Sequence, residues 1–321
     1  MRAILIVNPN ATSTTAAARD LVAHALASRV SLSVLHTTHR GHASELATEA
    51  RRGGIDLVIV HGGDGTVNEV VNGLLGVPAP TSMQSVTVGP VPLLAVVPGG
   101  SANVFARSLG ISKDPVEATN QLIDLIRAGS HRRIGLGHCD RRWFTFNAGL
   151  GLDADVCEAI DDGRAGGDSV TPGRYVRMAI TTFFRRKRRQ PLLTVETDNG
   201  VNVEGVHYAF VTNTDPWTYL GDRPVRTNPE TSFDRGLGIF AMRSTTVVTS
   251  LRVAGQMLSG KAGPHSKSLL RSDDVKWVRV RSAEPTGLQV DGDYLGERTE
   301  VEFASAPDAL DVVAPPRGTE L

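Results

Sequence analysis

The chain has 321 residues, 40% hydrophobic and 21% charged, with 34 basic and 34 acidic side chains and a formal net charge of zero. That length suits two domains of roughly 120–170 residues with full cores. Zero net charge excludes a global basic field for nucleic acid, and no stretch approaches the roughly 18–20 apolar residues of a membrane span. The first third repeats one pattern. AILIV is a short β-branched run, followed by the polar loop NPNATSTT and the helical AAARDLVAHALA. SLSVLHTT then reads as a strand and HASELATEARRGG as a helix. IDLVIV leads into HGGDGT and the helix VNEVVNGLL; PLLAVV leads into PGGSAN and the helix VFARSLG. Continuous apolar strands alternating with helices predict a doubly wound α/β domain over about residues 1–130. Ligands of such sheets bind beyond the carboxyl ends of the strands, where these polar loops lie.

After about residue 130 the pattern changes. RWFTFNAGLG, LLTVETDN, VNVEGVHYAFVTNT, GLGIFAM, VKWVRVRS and GLQVDGDYL alternate like strands, punctuated by Gly, Pro, Asn and Asp. Residues 131–304 are expected to form a mainly antiparallel β-sandwich, with helical interruptions at GRYVRMAITTFF and TSLRVAGQMLSG. ALDVVAP, within 305–316, is a candidate to return to the first domain as an edge strand. Cys139 and Cys157 are spaced for neither a metal site nor a disulfide framework. With an opening apolar run too short for a signal peptide, they point to a reducing, cytoplasmic setting.

In HGGDGT the glycines allow a sharp turn and close approach to a ligand. The following helix offers unpaired N–H groups and its positive dipole end to an anion. Val67, Val70, Val71, Leu74 and Leu75 form its apolar stripe, and Asn68, Glu69 and Asn72 lie opposite. Asp64 is the odd member, since a carboxylate beside phosphates is repulsive unless a cation lies between them. It suits Mg²⁺ or the orienting of a hydroxyl. The loop also suits a plain strand-to-helix turn with Asp64 as helix cap, and alone it does not decide. PGGSAN repeats the device, with Ser101 and Asn103 as cap-type residues with spare hydrogen bonds; NPNATSTT repeats it again. Three such loops at one sheet edge argue for a polyphosphate ligand. Neither a Walker A motif nor a dinucleotide fingerprint is present.

VNPNATS, HGGDGTVNEVVNGL, VVPGGSANVFARSLGI, FNAGLGLDADV and VDGDYLGE occur in that order. Together they resemble the diacylglycerol kinase catalytic family in its bacterial lipid kinase branch, over about residues 3–315. The branch is similar to sphingosine and ceramide kinases and more distantly to NAD kinases. GGDGT alone is shared with NAD kinases; the combination is more specific. The resemblance implies an NAD kinase-like α/β domain followed by a β-sandwich domain, with ATP in the cleft between them. By matching motif, Asn8, Pro9, Asn10, Ala11 and Thr12 would line the nucleotide phosphates, with Gly62, Gly63, Asp64, Gly65 and Thr66. Thr37, Gly100, Ser101 and Asn103 match further nucleotide contacts. The late D-G-E/D motif, here Asp291-Gly292-Asp293, would supply the general base, with Asp293 in place of the usual glutamate. On a strand, Asp291 and Asp293 would share one face and raise each other's pKa. VDGDY also suits a β-turn. Two departures stand out. Val104 occupies a position where relatives often carry aspartate. In FDRGLGIF, Arg235 stands where a structural metal loop would have its aspartate, leaving Asp234 as the substitute ligand.

TTFFRRKRRQP carries Arg185, Arg186, Lys187, Arg188 and Arg189 beside Phe183 and Phe184. Aromatics next to cations suit an anionic membrane surface, although a solvated helix end has the same composition. The aromatics are not interleaved with the cations, which disfavours nucleic acid. His61 and His207 read as loop or packing residues, His61 being near enough to its loop to reach a phosphate. Trp217 is a candidate for a cleft wall or for simple packing. The expected function is Mg²⁺-dependent phosphoryl transfer from ATP to a membrane lipid hydroxyl, with diacylglycerol the favoured acceptor. A homodimer peripheral to the inner membrane face is expected from the resemblance. The rivals are an NAD kinase and a non-catalytic nucleotide- or lipid-binding regulator.

Overall fold

The computed structural model describes residues 1–11, 16–78, 90–151, 192–259 and 263–316. The chain divides into two compact units: the described residues of Met1–Ile134, Arg141–Trp143 and Asp308–Leu321, and those of Gly135–Asp140 and Phe144–Pro307.

In the first unit β1 (Arg2–Val7), β2 (Ser31–His36), β3 (Leu57–Gly62) and β4 (Leu93–Pro98) pair in parallel in the order β2-β1-β3-β4. β1 and β3 are apolar and buried on both faces, as a parallel sheet covered by helices requires. The helices are α1 (Ala16–Ala27), α2 (His42–Arg52), α3 (Asp64–Leu75), α4 (Val104–Ser108) and α5 (Pro115–Arg127). α2 packs on α3, and α1 on α5. The first contact depends on small residues. Ala43, Ala47 and Ala50 are the buried face of α2, and a Cβ on Gly73 of α3 would lie 2.2 Å from the Ser44 carbonyl oxygen. α5 is absent from the predicted pattern, although its start is legible: Asp114 Oδ1 accepts from the Val116 and Glu117 N–H groups at 2.9 Å each, with Pro115 at the first helical position.

The second unit is largely antiparallel. Its strands are the later part of β5 (Arg132–Cys139), the last residue of β6 (Arg142–Phe144), then β7 (Asn147–Leu150), β8 (Leu193–Thr197), β9 (Asn202–Val206), β10 (Tyr208–Thr212), β11 (Thr218–Leu220) and β12 (Arg223–Val225). β13 (Leu237–Met242), β14 (Leu269–Val275), β15 (Trp277–Val290) and β16 (Asp293–Val312) follow, with α6 (Val247–Ser259) between β13 and β14. β15 serves two sets of partners. Val278–Ser282 pair with β8, and Leu288–Val290 pair with β7, with a register shift between Arg281 and Thr286. Alternate residues of these strands share one apolar core, including Ala148, Val195, Val211, Ile239, Val280, Val290 and Phe303. β16 ends in the first unit, where Val312 pairs parallel to Leu94 and the Val313 N–H donates to the Leu94 carbonyl at 2.8 Å. This is the segment ALDVVAP.

The architecture is α/β followed by β. The predicted strand GLQVDGDYL is instead the end of β15, a turn and the start of β16. RWFTFNAGLG is broken into β6 and β7, because the backbone between them turns its N–H groups to a buried carboxylate described below.

Candidate active site

In the order β2-β1-β3-β4, the chain leaves β1 toward one side of the sheet and β3 toward the other. The loops after β1 and β3 therefore diverge, leaving the crevice where open α/β sheets take their ligands. Both loops are braced there. The Asn8 N–H donates to the His61 carbonyl at 3.0 Å, and Asn8 Nδ2 donates to Thr66 Oγ1 at 3.1 Å. Asn8 also closes its own turn over Pro9: its Oδ1 accepts the Asn10 N–H at 2.9 Å and its carbonyl the Ala11 N–H at 3.1 Å. The Thr37 N–H donates to the Val7 carbonyl at 2.9 Å, holding the end of β2 beside β1.

α3 carries two carboxylates that reach neighbouring helices. Asp64 Oδ2 accepts the Val104 N–H at 3.0 Å and Oδ1 the Phe105 N–H at 3.1 Å, so Asp64 caps α4. Glu69 Oε1 accepts the Gly41 N–H at 2.9 Å and Oε2 the Ala43 N–H at 3.3 Å, so Glu69 caps α2. Sequence reasoning allowed Asp64 as a cap for its own helix; the helix capped is the next one. Asn103, expected to carry spare hydrogen bonds, spends one donor and one acceptor within its own loop. Asn103 adopts φ 49, and its amide closes on Gly100, accepting from the N–H at 2.8 Å and donating to the carbonyl at 2.7 Å. Ser101 stands exposed at the loop tip. Asn68 and Asn72, expected on an open polar face, bind Trp143: Asn68 Nδ2 donates to its carbonyl at 2.8 Å and Asn72 Oδ1 accepts its N–H at 3.0 Å.

The glycines divide by purpose. A Cβ on Gly100 would lie 2.7 Å from Gly63 Cα, one on Gly99 3.1 Å from Gly62 Cα, and one on Gly62 2.8 Å from Thr66 Cβ. These residues let two loops pass backbone to backbone. Gly65 is different: it is exposed in the first turn of α3, and a Cβ there meets nothing within 4 Å. Gly63 precedes α3 without a side-chain cap. The starts of α2 and α4 are met by carboxylates, whereas the start of α3 has no side-chain cap and keeps the N–H groups and positive dipole end that suit an anion.

His61 lies fully buried under these loops, and neither ring nitrogen has a partner among the described residues. Burial, with a smaller contribution from the Arg19 charge, lowers its pKa to about 4 from 6.5. The folded state thus prefers the neutral ring. This stability is complete above pH 6.5 and is lost as pH falls toward 4, amounting to roughly 3 kcal/mol. His61→Leu is expected to keep its melting temperature at pH 7 and to lose less of it than the wild type at pH 4.5. Equal acid losses in the two proteins would refute the assignment.

In the second unit, Asp291-Gly292 forms a two-residue turn with φ 48 and 85, and Val290 faces Asp293 across it. Positive φ at both central residues is the hairpin geometry that Asp-Gly favours. The two carboxylates therefore do not share a strand face. Asp291 is buried, and its Oδ2 accepts the Thr145 N–H at 2.6 Å and Thr145 Oγ1 at 2.7 Å. Its Oδ1 accepts the Phe146 and Asn147 N–H groups at 3.0 and 3.1 Å. Burial pushes the Asp291 carboxyl up and these four donors oppose the shift; Asp293 is not among the causes. Asn147 and Gln289, which sequence reasoning passed over, complete the bracing. Gln289 Nε2 donates to Asn147 Oδ1 at 2.7 Å, and Gln289 Oε1 accepts the Gly292 N–H at 3.0 Å. Asp291 is thus the anchor of the turn, and Asp293 lies half-buried at the start of β16.

A family model described as "Diacylglycerol kinase catalytic domain" matches residues 2–139. The Bacillus subtilis (strain 168) protein named "Diacylglycerol kinase" is 41% identical over 292 residues, covering 88% of this chain and 86% of that one. The chain belongs to the diacylglycerol kinase catalytic domain family. A Chromohalobacter salexigens relative, named "Probable lipid kinase YegS-like", is 34% identical over 295 residues, covering 88% and 84%. The solved structure of a Bacillus anthracis (strain Sterne) diacylglycerol kinase has the same fold, with TM-score 0.72 and 22% identity over 98% of this chain and 97% of that one.

Within this family member, the described residues hold no group of three His, Cys, Asp or Glu side chains that could bind a metal, Asp234 included. Asp234 is exposed in the turn before β13, and the neighbouring Arg235 pairs with Glu230 at 3.8 Å. The donor set suits a Mg²⁺ ion held mainly by phosphate oxygens and water. Asp64 is the carboxylate of that donor set, and its oxygens also accept the Val104 and Phe105 N–H groups. Thr12 and the segment Phe183–Arg189 lie outside the described residues. Trp217 stacks on Phe210 at 5.2 Å as part of an aromatic layer with Phe240.

Proposed function

We propose that the chain is an ATP-dependent lipid kinase whose favoured acceptor is diacylglycerol and whose product is phosphatidic acid. The observation that carries the reading is the α3 N-terminus at the topological switch point, uncapped by a side chain and flanked by the exposed Gly65. The N–H groups of that turn bind the ATP phosphates, and Asn8 and Thr66 fix the loops on either side. Asp64 would hold Mg²⁺ together with the phosphates and water, and the ion would supply charge neutralisation to the transferred group. The lipid hydroxyl oxygen forms a bond to the γ-phosphorus as its proton passes to the Asp293 carboxylate. The bond from the γ-phosphorus to the bridging oxygen breaks, and its electron pair leaves with ADP. Membrane association peripheral to the bilayer follows from an acceptor that resides there. Among the described residues no helix is long and apolar enough to cross a membrane.

The test is transfer of labelled phosphate from ATP with Mg²⁺ into diacylglycerol in mixed micelles, beside sphingosine, ceramide, undecaprenol and NAD. Label in diacylglycerol supports the reading. Label in NAD alone, or ATP binding without label in any acceptor, overturns it. Gly65→Ala tests the phosphate loop directly. The new methyl group meets no protein atom within 4 Å. Stability should therefore hold or rise by about 0.5–1 kcal/mol, as expected for Gly to Ala in a helix. Turnover is expected to fall by about 10–100-fold, because a ligand approaching the backbone is displaced. Wild-type turnover in this variant would remove Gly65 from the phosphate site.

A further inference from the structure

α6 presents two faces of different character. On the inner face Val253 is buried and Met257 packs with it against Tyr208, Phe210, Phe240 and Met242. On the outer face Val248 is 79% exposed and Leu251 65%, the highest values among the exposed large hydrophobics of the described residues. They are three positions apart and share one side of the helix. Arg252 lies one turn after Val248 on the same side, and the exposed Gly255 leaves the next turn without bulk. Single exposed aliphatic residues are ordinary, whereas a helical pair flanked by cations is a docking feature.

Charge supplies the second observation. From Gly236 to Ser272 the sequence contains five Lys and Arg residues, Arg243, Arg252 and Lys267 among them, and no Asp or Glu, in a chain with 34 residues of each sign. Arg243 and Lys267 are exposed, and their segments are tied together by the Arg243 N–H donating to the Ser268 carbonyl at 2.8 Å. The His265 N–H donates to Gln256 Oε1 at 3.1 Å, joining that segment to α6. An exposed aliphatic pair beside Arg252, in a stretch of sequence that has no acid and also exposes Arg243 and Lys267, complements a surface that is both anionic and apolar beneath. A nucleic acid would use the cations and leave Val248 and Leu251 without purpose. A bilayer containing anionic lipid uses both.

We propose that α6 is the surface by which this chain rests on an anionic phospholipid bilayer, lying in the interface with Val248 and Leu251 toward the acyl boundary. The proposal rests on the reading that the acceptor is a membrane lipid, and it names the surface that makes contact. The test is co-sedimentation of the full chain with phosphatidylcholine vesicles, with and without phosphatidylglycerol. Wild type is expected to prefer the anionic vesicles. The double variant Val248→Glu/Leu251→Glu should lose about tenfold or more of its partition. Arg252→Glu should lose roughly fivefold or more, an effect that salt diminishes. All three side chains are exposed, so melting temperatures should hold. Unchanged vesicle binding in the double variant overturns the proposal, as does equal binding of wild type to neutral and anionic vesicles. So does a double variant that loses only self-association in sedimentation velocity. Phosphorylation of a short-chain, water-dispersed diacylglycerol separates the two readings. If wild type binds vesicles through α6 yet phosphorylates no lipid, the surface stands and the kinase reading falls. If the double variant phosphorylates the dispersed substrate and keeps its vesicle binding, the kinase reading stands and the surface falls.

Discussion

Asp293→Asn is expected to lower turnover by about 10²–10⁴-fold, the range that general acid–base catalysis supplies, and to leave ATP affinity and melting temperature nearly unchanged. Asparagine keeps the size and hydrogen-bonding reach of aspartate but cannot take a proton from the lipid hydroxyl. The site itself should persist, because the turn is held elsewhere. Gln289 binds the Gly292 N–H, and Asp291 binds the Thr145–Asn147 backbone. Asp291→Asn is the contrasting half of the experiment. Its side-chain NH₂ would face donors that now meet a carboxylate, leaving at least one buried donor unsatisfied at about 1–3 kcal/mol. The melting temperature should fall by about 2–4 °C for each kcal/mol lost in a unit of this size. Turnover measured with single-turnover kinetics, beside thermal denaturation of both variants, separates the proton acceptor from the anchor. Wild-type turnover in Asp293→Asn would remove the base from the proposed mechanism.

What was legible in the sequence is what neighbours along the chain decide. β1, β3 and β4 are continuous β-branched runs, and each ends on the Gly or Asn loop that marks the ligand edge. The Asp-Gly pair signals a hairpin on its own, yet reading GLQVDGDYL as one strand put Asp291 and Asp293 on a shared face. Positive φ at Asp291 and Gly292 instead reverses the chain between them. The partners of the site carboxylates were beyond reach for a different reason. Asp64 meets Val104 across 40 positions, Glu69 meets Gly41 across 28, and Asp291 meets Thr145 across 146. No local pattern encodes such pairs. A carboxylate that caps another helix looks in sequence like one aimed at a ligand. The same holds for Asn103, whose amide closes on Gly100. α5 was missed for a lesser reason, since Asp-Pro followed by an acidic first turn is a readable start.

Asp64→Asn is expected to damage stability and turnover together, and Mg²⁺ is not expected to repair either. One amide oxygen can accept the N–H of Val104 or of Phe105, but the NH₂ group then faces the other as donor against donor. The variant also removes the negative charge that offsets the dipole at the start of α4. An unsatisfied amide and a lost cap together cost about 1–3 kcal/mol, or roughly 2–12 °C in melting temperature for a unit of this size. The loop containing Ser101 would lose its tie to α3, and displacement of the phosphate edge by about 1 Å is enough to cost roughly 10²-fold in rate. If Asp64 served only to hold the metal, the melting temperature would be unaltered and excess Mg²⁺ would restore turnover. A lower melting temperature with no rescue at saturating Mg²⁺ assigns the larger share to the cap. The glycines of the same loops agree with that assignment. Gly63 and Gly100 bring the two backbones within a distance at which a Cβ on Gly100 would lie 2.7 Å from Gly63 Cα, and Asp64 is the side chain that holds them there.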